Sequence, residues 1–469
     1  MKDLDESNIP VPGLVDDLIA GLPDGRVQTD ADVLKAYSQD RAIFEKAGIP
    51  MVLVSPHSTA EVVSALQIAA EHGAIVVPRG AGTGLTGGAN AIHGCVIVSM
   101  HNMNEIIEVD VINRTARLQP GVINRDLKEA VAAHGLFYPP DPASYDMSSI
   151  GGNVATNAGG LCCVKYGVTR DYVVGLEAVL ASGAVIRTGR QGTIKNTAGL
   201  DLTGLFVGSE GTLGIISEII VKLLPERRQG ATMVAYFSEL PAAGEAISDI
   251  FESGYEPSLM EILDRSSLEI IESVNAMELD VDAACLLLIQ ADGERSGEHS
   301  SDIEAMAAIC EEHGSSFVYH VADPIEGDML LEVRRRAWPA MERLGKALLP
   351  EDVAVGRHRL PELLAGIAAI ATRHDILIPT IGHAGDGNLH PILIFDEHDP
   401  AAVEVARTAF GEIVALALSL GGTIAAEHGL GTLKRHFLAD EVSPELVSLM
   451  RDVKRVFDPE DRMNPGKAL

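Results

Sequence analysis

The sequence predicts an α+β protein of more than one domain. Three observations support this prediction: the chain has 469 residues, strand-like and helix-like segments alternate from Ser55 onward, and a charged stretch at 225–230 interrupts them. At roughly 100–200 residues per domain, this length corresponds to two to four domains. We expect an N-terminal helical segment over 1–45, a first domain over 46–226, a second domain over 227–410 and a C-terminal helical segment over 411–469.

The elements of the first domain follow from hydrophobic spacing and from glycine and proline stops. Glu61 to His72 has the spacing of an amphipathic helix, and Gly73 ends it. Short apolar runs predict strands at 74–78 and 95–100. A hairpin is predicted at 106–111 and 115–119, followed by a helix at 124–134.

Helix and strand patterns alternate again beyond residue 230. The predicted helices are 242–253, 300–313 and 359–373, and the predicted strands are 232–237, 284–290, 317–321 and 391–395. This alternation is typical of helices packed on a sheet.

The charge balance excludes several classes of partner. Lys and Arg total 36 and Asp and Glu total 67, which gives a formal net charge of −31. Nucleic acid and anionic lipid are both bound through clustered Lys and Arg, so we expect neither as a partner. The acidic N-terminus, the lack of a long apolar run and five scattered cysteines favour a cytoplasmic protein without a signal peptide, transmembrane segment or disulfide framework.

A glycine-rich loop follows the strand predicted at 74–78. Residues 79–88 contain the pattern GxGxxG at Gly82, Gly84 and Gly87. A Rossmann nucleotide site needs a helix to begin at this point, and no helical spacing follows, which disfavours an NAD-binding interpretation. The loop is then either a plain glycine-rich turn or a nest of backbone N–H groups that binds phosphate.

Two further glycine-rich stretches make a plain turn harder to defend. Residues 148–160 are almost all small and polar, and residues 208–214 form a third such loop before a strand predicted at 215–224. These loops bury little apolar area but offer many hydrogen-bonding groups, at a cost in backbone entropy. Three of them in one domain indicate one large, extended, polar cofactor.

The three loops, with Pro139-Pro140-Asp141-Pro142 between the first two, resemble the FAD domain of the vanillyl-alcohol oxidase (PCMH-type) flavoprotein superfamily. From about residue 40 to the end, the chain is similar to the D-2-hydroxyacid dehydrogenase branch, which contains the glycolate oxidase FAD subunit and cytochrome-type D-lactate dehydrogenases. The resemblance implies a two-subdomain FAD-binding domain and an antiparallel-sheet substrate domain with helices on one face. It also implies that the helical C-terminal segment returns to the FAD site.

The resemblance further implies which residues bind FAD. The first loop would hold the pyrophosphate, the second would line much of the cofactor, and Asn464 would approach the flavin. The implied set is Pro78, Arg79, Gly80, Ala81, Gly82, Thr83, Gly84, Leu85, Pro140, Asp141, Ser149, Gly152, Asn153, Thr156, Asn157, Gly160, Gly211, Ile216 and Asn464. Relatives with covalent flavin carry a histidine where this chain has Thr83, so the resemblance implies non-covalent FAD.

A second group of chemistry-bearing residues lies at 383–390, which reads His-Ala-Gly-Asp-Gly-Asn-Leu-His. The Asp-Gly pair favours a two-residue hairpin turn that would place His383 opposite His390. Directly opposed side chains have Cβ atoms roughly 4.5–5.5 Å apart, which suits two imidazoles on one divalent ion. The alternative is two structural histidines beside a turn.

Downstream, Glu427 and His428 add a carboxylate and a third imidazole. Two histidines and one carboxylate are an ordinary ligand set for Zn²⁺, Mn²⁺ or Fe²⁺. The resemblance implies His383, His390 and Glu427 as ligands of one divalent metal, with Zn²⁺ or Mn²⁺ expected, and His428 as the catalytic base. It also implies a substrate-binding arginine that aligns with Arg334, although the register against Arg335 stays open.

The activity implied by the resemblance is oxidation of a D-2-hydroxy acid to the 2-oxo acid, with hydride transfer to flavin N5. In the 2-hydroxyglutarate dehydrogenases a lysine follows the arginine where this chain reads Leu349-Pro350-Glu351-Asp352. The missing cation favours a small or apolar substrate such as D-lactate or glycolate.

Four alternatives stay open: a D-2-hydroxyglutarate dehydrogenase, an oxidase on the same fold that uses O₂, a flavin-free metal hydrolase or metal-binding protein, and an NAD(P) enzyme that uses Gly82, Gly84 and Gly87. No segment for haem or an iron–sulfur cluster is present. We therefore expect an external electron acceptor, which could be a quinone, a cytochrome or an electron-transfer flavoprotein. The family suggests a homodimer.

Overall fold

The computed structural model describes residues 11–42, 44–227, 230–292 and 298–469. Its helices are α1 Leu14–Gly21, α2 Ala31–Ser38, α3 Thr59–Glu71, α4 Asn124–Ala132, α5 Ile150–Thr156, α6 Cys163–Tyr166, α7 Leu202–Phe206, α8 Leu240–Glu252, α9 Arg265–Val274, α10 Glu298–Glu312, α11 Pro324–Glu342, α12 Leu360–His374, α13 Pro400–Ser419, α14 Leu438–Glu441 and α15 Pro444–Phe457. Its strands are β1 Val27–Gln28, β2 Val52–Val54, β3 Val76–Arg79, β4 Val96–Ser99, β5 Ile106–Asp110, β6 Thr115–Leu118, β7 Leu136–Phe137, β8 Val173–Val179, β9 Val185–Gly189, β10 Ile215–Lys222, β11 Leu224–Pro225, β12 Ala231–Phe237, β13 Leu259–Asp264, β14 Cys285–Ala291, β15 Phe317–Val321, β16 Ala347–Pro350, β17 Val353–Ala354, β18 Thr380–His383 and β19 Asn388–Phe395.

The chain forms two compact units. The first contains the chain up to Gly159, Val168–Glu226 and Glu427–Leu469, and the second contains Gly160–Gly167 and Arg227–Ala426. The domain divisions drawn from the sequence stay predictions. Of the predicted N-terminal helical segment, α1 and α2 are seen, while residues 1–10 and 43 lie outside the described residues, as do residues 228–229 of the linker.

The first unit contains two main sheets. One has the order β1-β2-β4-β3, in which β2, β4 and β3 run parallel. Leu18 of α1 and Leu66 of α3 share its core. The other sheet is antiparallel, with the order β5-β6-β10-β8-β9, and Leu118 and Ile219 lie in its core. The chain between β3 and β4 contains no α-helix, so the Rossmann arrangement that the sequence disfavoured is absent there.

The second glycine-rich stretch is partly helical, which differs from the loop that the sequence predicted. Ser149 accepts the N–H of Gly152 at 3.3 Å and so caps α5, and Asn157 ends the helix in a left-handed conformation with φ of 55°. A serine cap and a left-handed terminator favour a helix in spite of the two glycines within it.

The second unit is built on one large sheet with the order β15-β12-β14-β13-β18-β19-β16, and β17 also pairs with β19. Leu286 and Leu288 of β14 pack with residues of α9 and α11. The alternate residues Leu287 and Ile289 are equally buried, and α8 and α10 contact the same strand. Successive side chains of a strand point to opposite faces, so both faces are covered, whereas the sequence predicted helices on one face.

The short segment Gly160–Gly167 is held on the second unit by charged contacts. Lys165 Nζ donates to Asp292 Oδ1 at 2.6 Å, and the Tyr166 hydroxyl donates to Asp292 Oδ2 at 2.5 Å. Arg227 Nε also donates to Oδ2, at 2.7 Å.

Across the parts of the chain that the structure describes, no helix has the length and apolar character needed to cross a membrane.

Candidate active site

The side chain of Arg79 holds the first glycine-rich loop in shape. Its Nη2 donates to the carbonyl of Gln39 at 2.9 Å, and its Nη1 donates to that of Ala89 at 3.4 Å. Gly82 has a φ of 74°, and a Cβ there would lie 2.6 Å from Arg79 Cζ, so this position requires glycine. The guanidinium supports the loop through these contacts, and its contact with a pyrophosphate stays a prediction.

Ser149 joins the first glycine-rich loop to the second. Its hydroxyl accepts the N–H of Ala81 at 3.2 Å as well as that of Gly152. The two loops border a cleft of about 400 Å³. Four residues of the predicted FAD set line this cleft: Arg79, Gly80, Ala81 and Ser149.

The wall of this cleft suits a polar ligand. Ser99 lines the cleft, and its fully buried hydroxyl has no hydrogen-bond partner among the residues that the structure describes. A buried hydroxyl without a partner costs free energy, which a hydrogen-bonding ligand can offset. Gly80, which has no side chain, is partly exposed at the cleft. The cleft therefore fits part of a dinucleotide.

Other residues of the predicted FAD set make hydrogen bonds that fix the second loop. Asn153 accepts from Asn124 Nδ2 at 3.0 Å, and Asn157 Oδ1 accepts the N–H of Arg170 at 2.8 Å. Thr156 Oγ1 donates to the carbonyl of Gly152 at 3.3 Å. The members of the set outside the cleft wall are Pro78, Gly82, Thr83, Gly84, Leu85, Pro140, Asp141, Gly152, Asn153, Thr156, Asn157, Gly211, Ile216 and Asn464 in the first unit, and Gly160 in the second.

The segment that contains Glu427 and His428 is attached to the glycine-rich loops of the first unit. Thr86 Oγ1 donates to the carbonyl of His428 at 3.3 Å. The buried carboxylate of Glu210, in the third loop, accepts the N–H groups of Leu430 and Gly431 at 2.8 and 2.9 Å. Burial raises the pKa of Glu210, although these two N–H groups favour its ionised form.

The C-terminal tail is hydrogen-bonded to the first glycine-rich loop. Asn464 Nδ2 donates to the carbonyls of Gly88 and Glu210 at 2.9 and 2.8 Å. Lys467 Nζ donates to the carbonyls of Gly87 and Asn90, both at 2.7 Å. Burial lowers the pKa of Lys467 to about 8. The tail therefore fixes the backbone of the loop through direct hydrogen bonds.

In the second unit, β18 and β19 carry the two predicted histidines, but not in the predicted register. His383 pairs with Asn388, and His390 pairs with Ile381. The prediction that His383 faces His390 directly is wrong because four residues separate the strands: the N–H groups of Asp386 and Gly387 both donate to the carbonyl of His383. A diagonal position still puts both buried rings on one face, with centroids 5.1 Å apart.

A buried carboxylate contacts His383 from the neighbouring strand. Glu261 lies in β13 opposite His383, and its Oε1 accepts from His383 Nδ1 at 2.5 Å. Its Oε2 accepts from Arg334 Nε at 2.6 Å. Asp352 stands near the second histidine, with Oδ1 3.8 Å from His390 Nδ1, while its Oδ2 accepts the N–H of Ala426 at 3.0 Å.

The three consecutive arginines of α11 have different surroundings. The side chains of Arg335 and Arg336 are about half exposed and form ion pairs with Asp328 and Glu332. The Arg334 side chain is 12% exposed and faces Glu261. Its two terminal nitrogens have no hydrogen-bond partner among the described residues.

Sequence reasoning missed several residues of these sites. Glu261 had one signal, since it is a lone glutamate within the apolar run Leu259–Leu263. Asp352 was noticed only as part of a segment that lacks a lysine. The cleft residues that were missed, which carry no local pattern, are Ala36, Tyr37, Ser99, His101, Asn104, Gly121 and Ile123.

The fold and the cleft define an FAD-binding class of protein. Residues 50–189 match the family described as FAD binding domain. Residues 226–468 match the family described as FAD linked oxidases, C-terminal domain. The chain belongs to this family of FAD-linked oxidases, and it is an oxidoreductase with an FAD-binding domain.

Two curated relatives cover nearly the whole chain. The glycolate oxidase subunit GlcD of Bacillus subtilis (strain 168) is 41% identical over 466 residues, which is 99% of this chain and 96% of the relative. A D-lactate dehydrogenase of Anaerostipes hadrus is 34% identical over 451 residues, which is 94% of each chain. These matches confirm the resemblance stated from the sequence.

Among solved structures, p-cresol methylhydroxylase with substrate bound aligns with a TM-score of 0.78 at 18% identity, covering 97% of this chain and 96% of that one. At this identity the likeness concerns the fold alone. It confirms the predicted PCMH-type α+β architecture.

Proposed function

We propose that this chain oxidises a small D-2-hydroxy acid, such as D-lactate or glycolate, to the 2-oxo acid with FAD and one divalent metal ion. The observation that carries the proposal is the packing of Glu427 against Gly159, the last residue of the first unit's second glycine-rich loop. Glu427, the proposed metal ligand, and the adjacent His428, the proposed base, thereby lie against the loops that would bind the flavin. The names of the two relatives support this substrate class.

The donor set fits a divalent ion. Glu261 accepts from Nδ1 of His383, which leaves Nε2 as the ligand atom of that ring. His390 lies on the same face, and Ala426, directly before Glu427, is fixed by Asp352. Two imidazoles and a carboxylate are typical of Zn²⁺ or Mn²⁺. When bound, such an ion would act as a Lewis acid on the substrate hydroxyl.

Other residues of the chain would bind the substrate and remove its proton. Arg334 would hold the substrate carboxylate with its two terminal nitrogens, a geometry that suits a planar guanidinium. His428 would take the proton of the α-hydroxyl, and its backbone is fixed by Thr86 on one side and by the contacts of Glu210 on the other. FAD, when bound, supplies the hydride acceptor at N5.

The substrate is proposed to be small because a cation for a second carboxylate is missing. Related 2-hydroxyglutarate dehydrogenases would carry a lysine in the place of the segment 349–352, in which Pro350 ends β16. The next two side chains, Glu351 and Asp352, are fully buried acids. This segment therefore offers no cation to pair with a second substrate carboxylate.

The flavin is proposed to be non-covalent, since Thr83 offers no nucleophilic ring nitrogen. We further propose an external electron acceptor of the quinone, cytochrome or electron-transfer flavoprotein type. Acid precipitation should release all flavin into the supernatant. Flavin that stays with the precipitate would contradict the non-covalent assignment.

The central experiment is anaerobic mixing of the purified flavoprotein with D- and L-hydroxy acids while the flavin absorbance is followed. We expect D-lactate or glycolate to bleach the flavin, prolonged chelation to abolish bleaching, and Mn²⁺ or Zn²⁺ to restore it. Bleaching that is indifferent to chelators would remove the metal from the proposal.

The same panel separates the alternatives. Faster bleaching by D-2-hydroxyglutarate than by lactate would favour the dicarboxylate substrate. Peroxide formed in air in proportion to substrate turnover would favour an oxidase. His428→Asn should keep its FAD but lose substrate-driven bleaching, and normal bleaching would reject His428 as the base.

A further inference from the structure

One buried carboxylate joins two groups that the proposed function uses, the metal ligand His383 and the substrate-binding Arg334. Both oxygens of Glu261 are engaged, one by each partner, and its side chain is 0% exposed. The three side chains come from three elements, β13, β18 and α11. Glu261 thus connects a strand, the neighbouring strand and a helix at a single point.

Stability alone does not account for this residue. Glu261 interrupts an apolar strand, and its neighbours Met260 and Ile262 are buried hydrophobic residues. An ionised carboxylate in such a place costs several kcal/mol before its partners compensate, and a well-packed apolar side chain often stabilises as much as a buried ion pair does. A specific use for the carboxylate is therefore the better explanation.

We propose that Glu261 is a positioning residue that orients His383 toward the metal and Arg334 toward the substrate carboxylate. This inference rests on the proposed function. An ionised carboxylate only accepts hydrogen bonds, so the proton of His383 is held on Nδ1 and the lone pair of Nε2 is presented as a ligand. Because Glu261 takes Nε of Arg334, the two terminal nitrogens of the guanidinium are left for a ligand.

The test measures metal affinity, which does not depend on turnover. Chelator-stripped holoenzyme is titrated with Mn²⁺ while free Mn²⁺ is followed by electron paramagnetic resonance. A glutamine at 261 offers one acceptor and one donor group and cannot accept from both partners. We expect Glu261→Gln to raise the dissociation constant of Mn²⁺ about 10–100-fold, with unchanged FAD content.

The matched control is Glu332→Gln on α11, which removes a partly exposed carboxylate paired with Arg335 and Arg336. Its Mn²⁺ affinity should stay within about twofold of wild type, since exposed pairs contribute little. Glu261→Asp provides a second variant that keeps the charge but is too short to reach both partners. It should also weaken Mn²⁺ binding.

A second measurement concerns the arginine. Propionate has a carboxylate but no hydroxyl with which to chelate a metal, and its binding is followed by the change in flavin absorbance. In the wild-type background, Glu261→Gln should raise the dissociation constant of propionate about tenfold, because a hydrogen bond between charged groups is lost. In the Arg334→Met background the same substitution should have almost no effect.

The outcomes distinguish the inference from the proposed function. If His383→Ala loses Mn²⁺ binding while both Glu261 variants keep wild-type affinity, the positioning role is overturned and the proposed metal site stands. A wild-type protein that binds no Mn²⁺ would overturn the proposed metal site, and the positioning role with it.

Discussion

Gly159 and Glu427 pack so closely that a Cβ at residue 159 would lie 2.7 Å from Cδ of the glutamate. Gly159 ends the part of the second glycine-rich loop that belongs to the first unit, and Glu427 begins the C-terminal part of the same unit. The absence of a side chain at 159 therefore sets the position of the carboxylate that we propose as a metal ligand.

Gly159→Ala should displace Glu427 and slow flavin reduction by substrate about 10²-fold, because a shift of about 1 Å in a catalytic group has an effect of this size. Stopped-flow measurement of anaerobic flavin bleaching provides the rate. The double variant Gly159→Ala/Glu427→Ala should be no slower than Glu427→Ala alone. Wild-type bleaching by Gly159→Ala would show that this packing does not control the position of the carboxylate in the reaction.

The substrate arginine can be identified with a pair of conservative variants on adjacent positions. Arg334→Lys keeps a charge beside Glu261 but loses the planar fork, so kcat/KM should fall roughly 10–100-fold. Arg335→Lys should change kcat/KM by less than about twofold, because Arg335 is exposed and paired with Asp328 and Glu332. Steady-state kinetics with an artificial electron acceptor measures both, and the reverse ranking would assign the role to Arg335.

Much of the fold could be predicted because its signals are local. The helix predicted at Glu61–His72 is seen at Thr59–Glu71, and the hairpin predicted at 106–119 is seen with strands at 106–110 and 115–118. In each case apolar spacing and a following glycine or turn residue define the element within a few residues. Serine caps and turn geometry were harder, which is why α5 was missed and the histidine hairpin was placed in the wrong register.

The same distinction between local and long-range signals applies to the residues of the candidate site. His383 lies in a motif with a local signal, whereas Asn464 was named from the resemblance of the C-terminal tail, and the roles of both in the site stay predictions. Glu261 could not be, since its contact with His383 spans 122 residues and depends on which strands become neighbours. The role of Arg79 in shaping its own loop likewise depends on Gln39, which lies 40 residues away.

The C-terminal lysine offers a test of how the first loop is held. Lys467→Met removes the donor to the carbonyls of Gly87 and Asn90 and leaves both buried, which should cost about 1–3 kcal/mol of stability and weaken FAD binding. FAD affinity is measured by adding FAD back to the apoprotein. Lys222→Met, in which the lost side chain lies over the Tyr172 ring instead, should leave FAD affinity unchanged.

The pH dependence of stability should depend in part on Asp264, which caps α9 by accepting the N–H of Ser267 at 2.8 Å. Burial raises the pKa of Asp264 from 3.8 to about 6, so the folded state binds the proton more tightly and stability falls as pH rises from about 4 to 6. Asparagine caps equally well but carries no charge. Asp264→Asn should therefore raise the free energy of unfolding at pH 7 by at most about 3 kcal/mol, which raises Tm. It should give no gain at pH 4. Equal Tm shifts for Asp264→Asn at pH 4 and pH 7 would contradict this assignment.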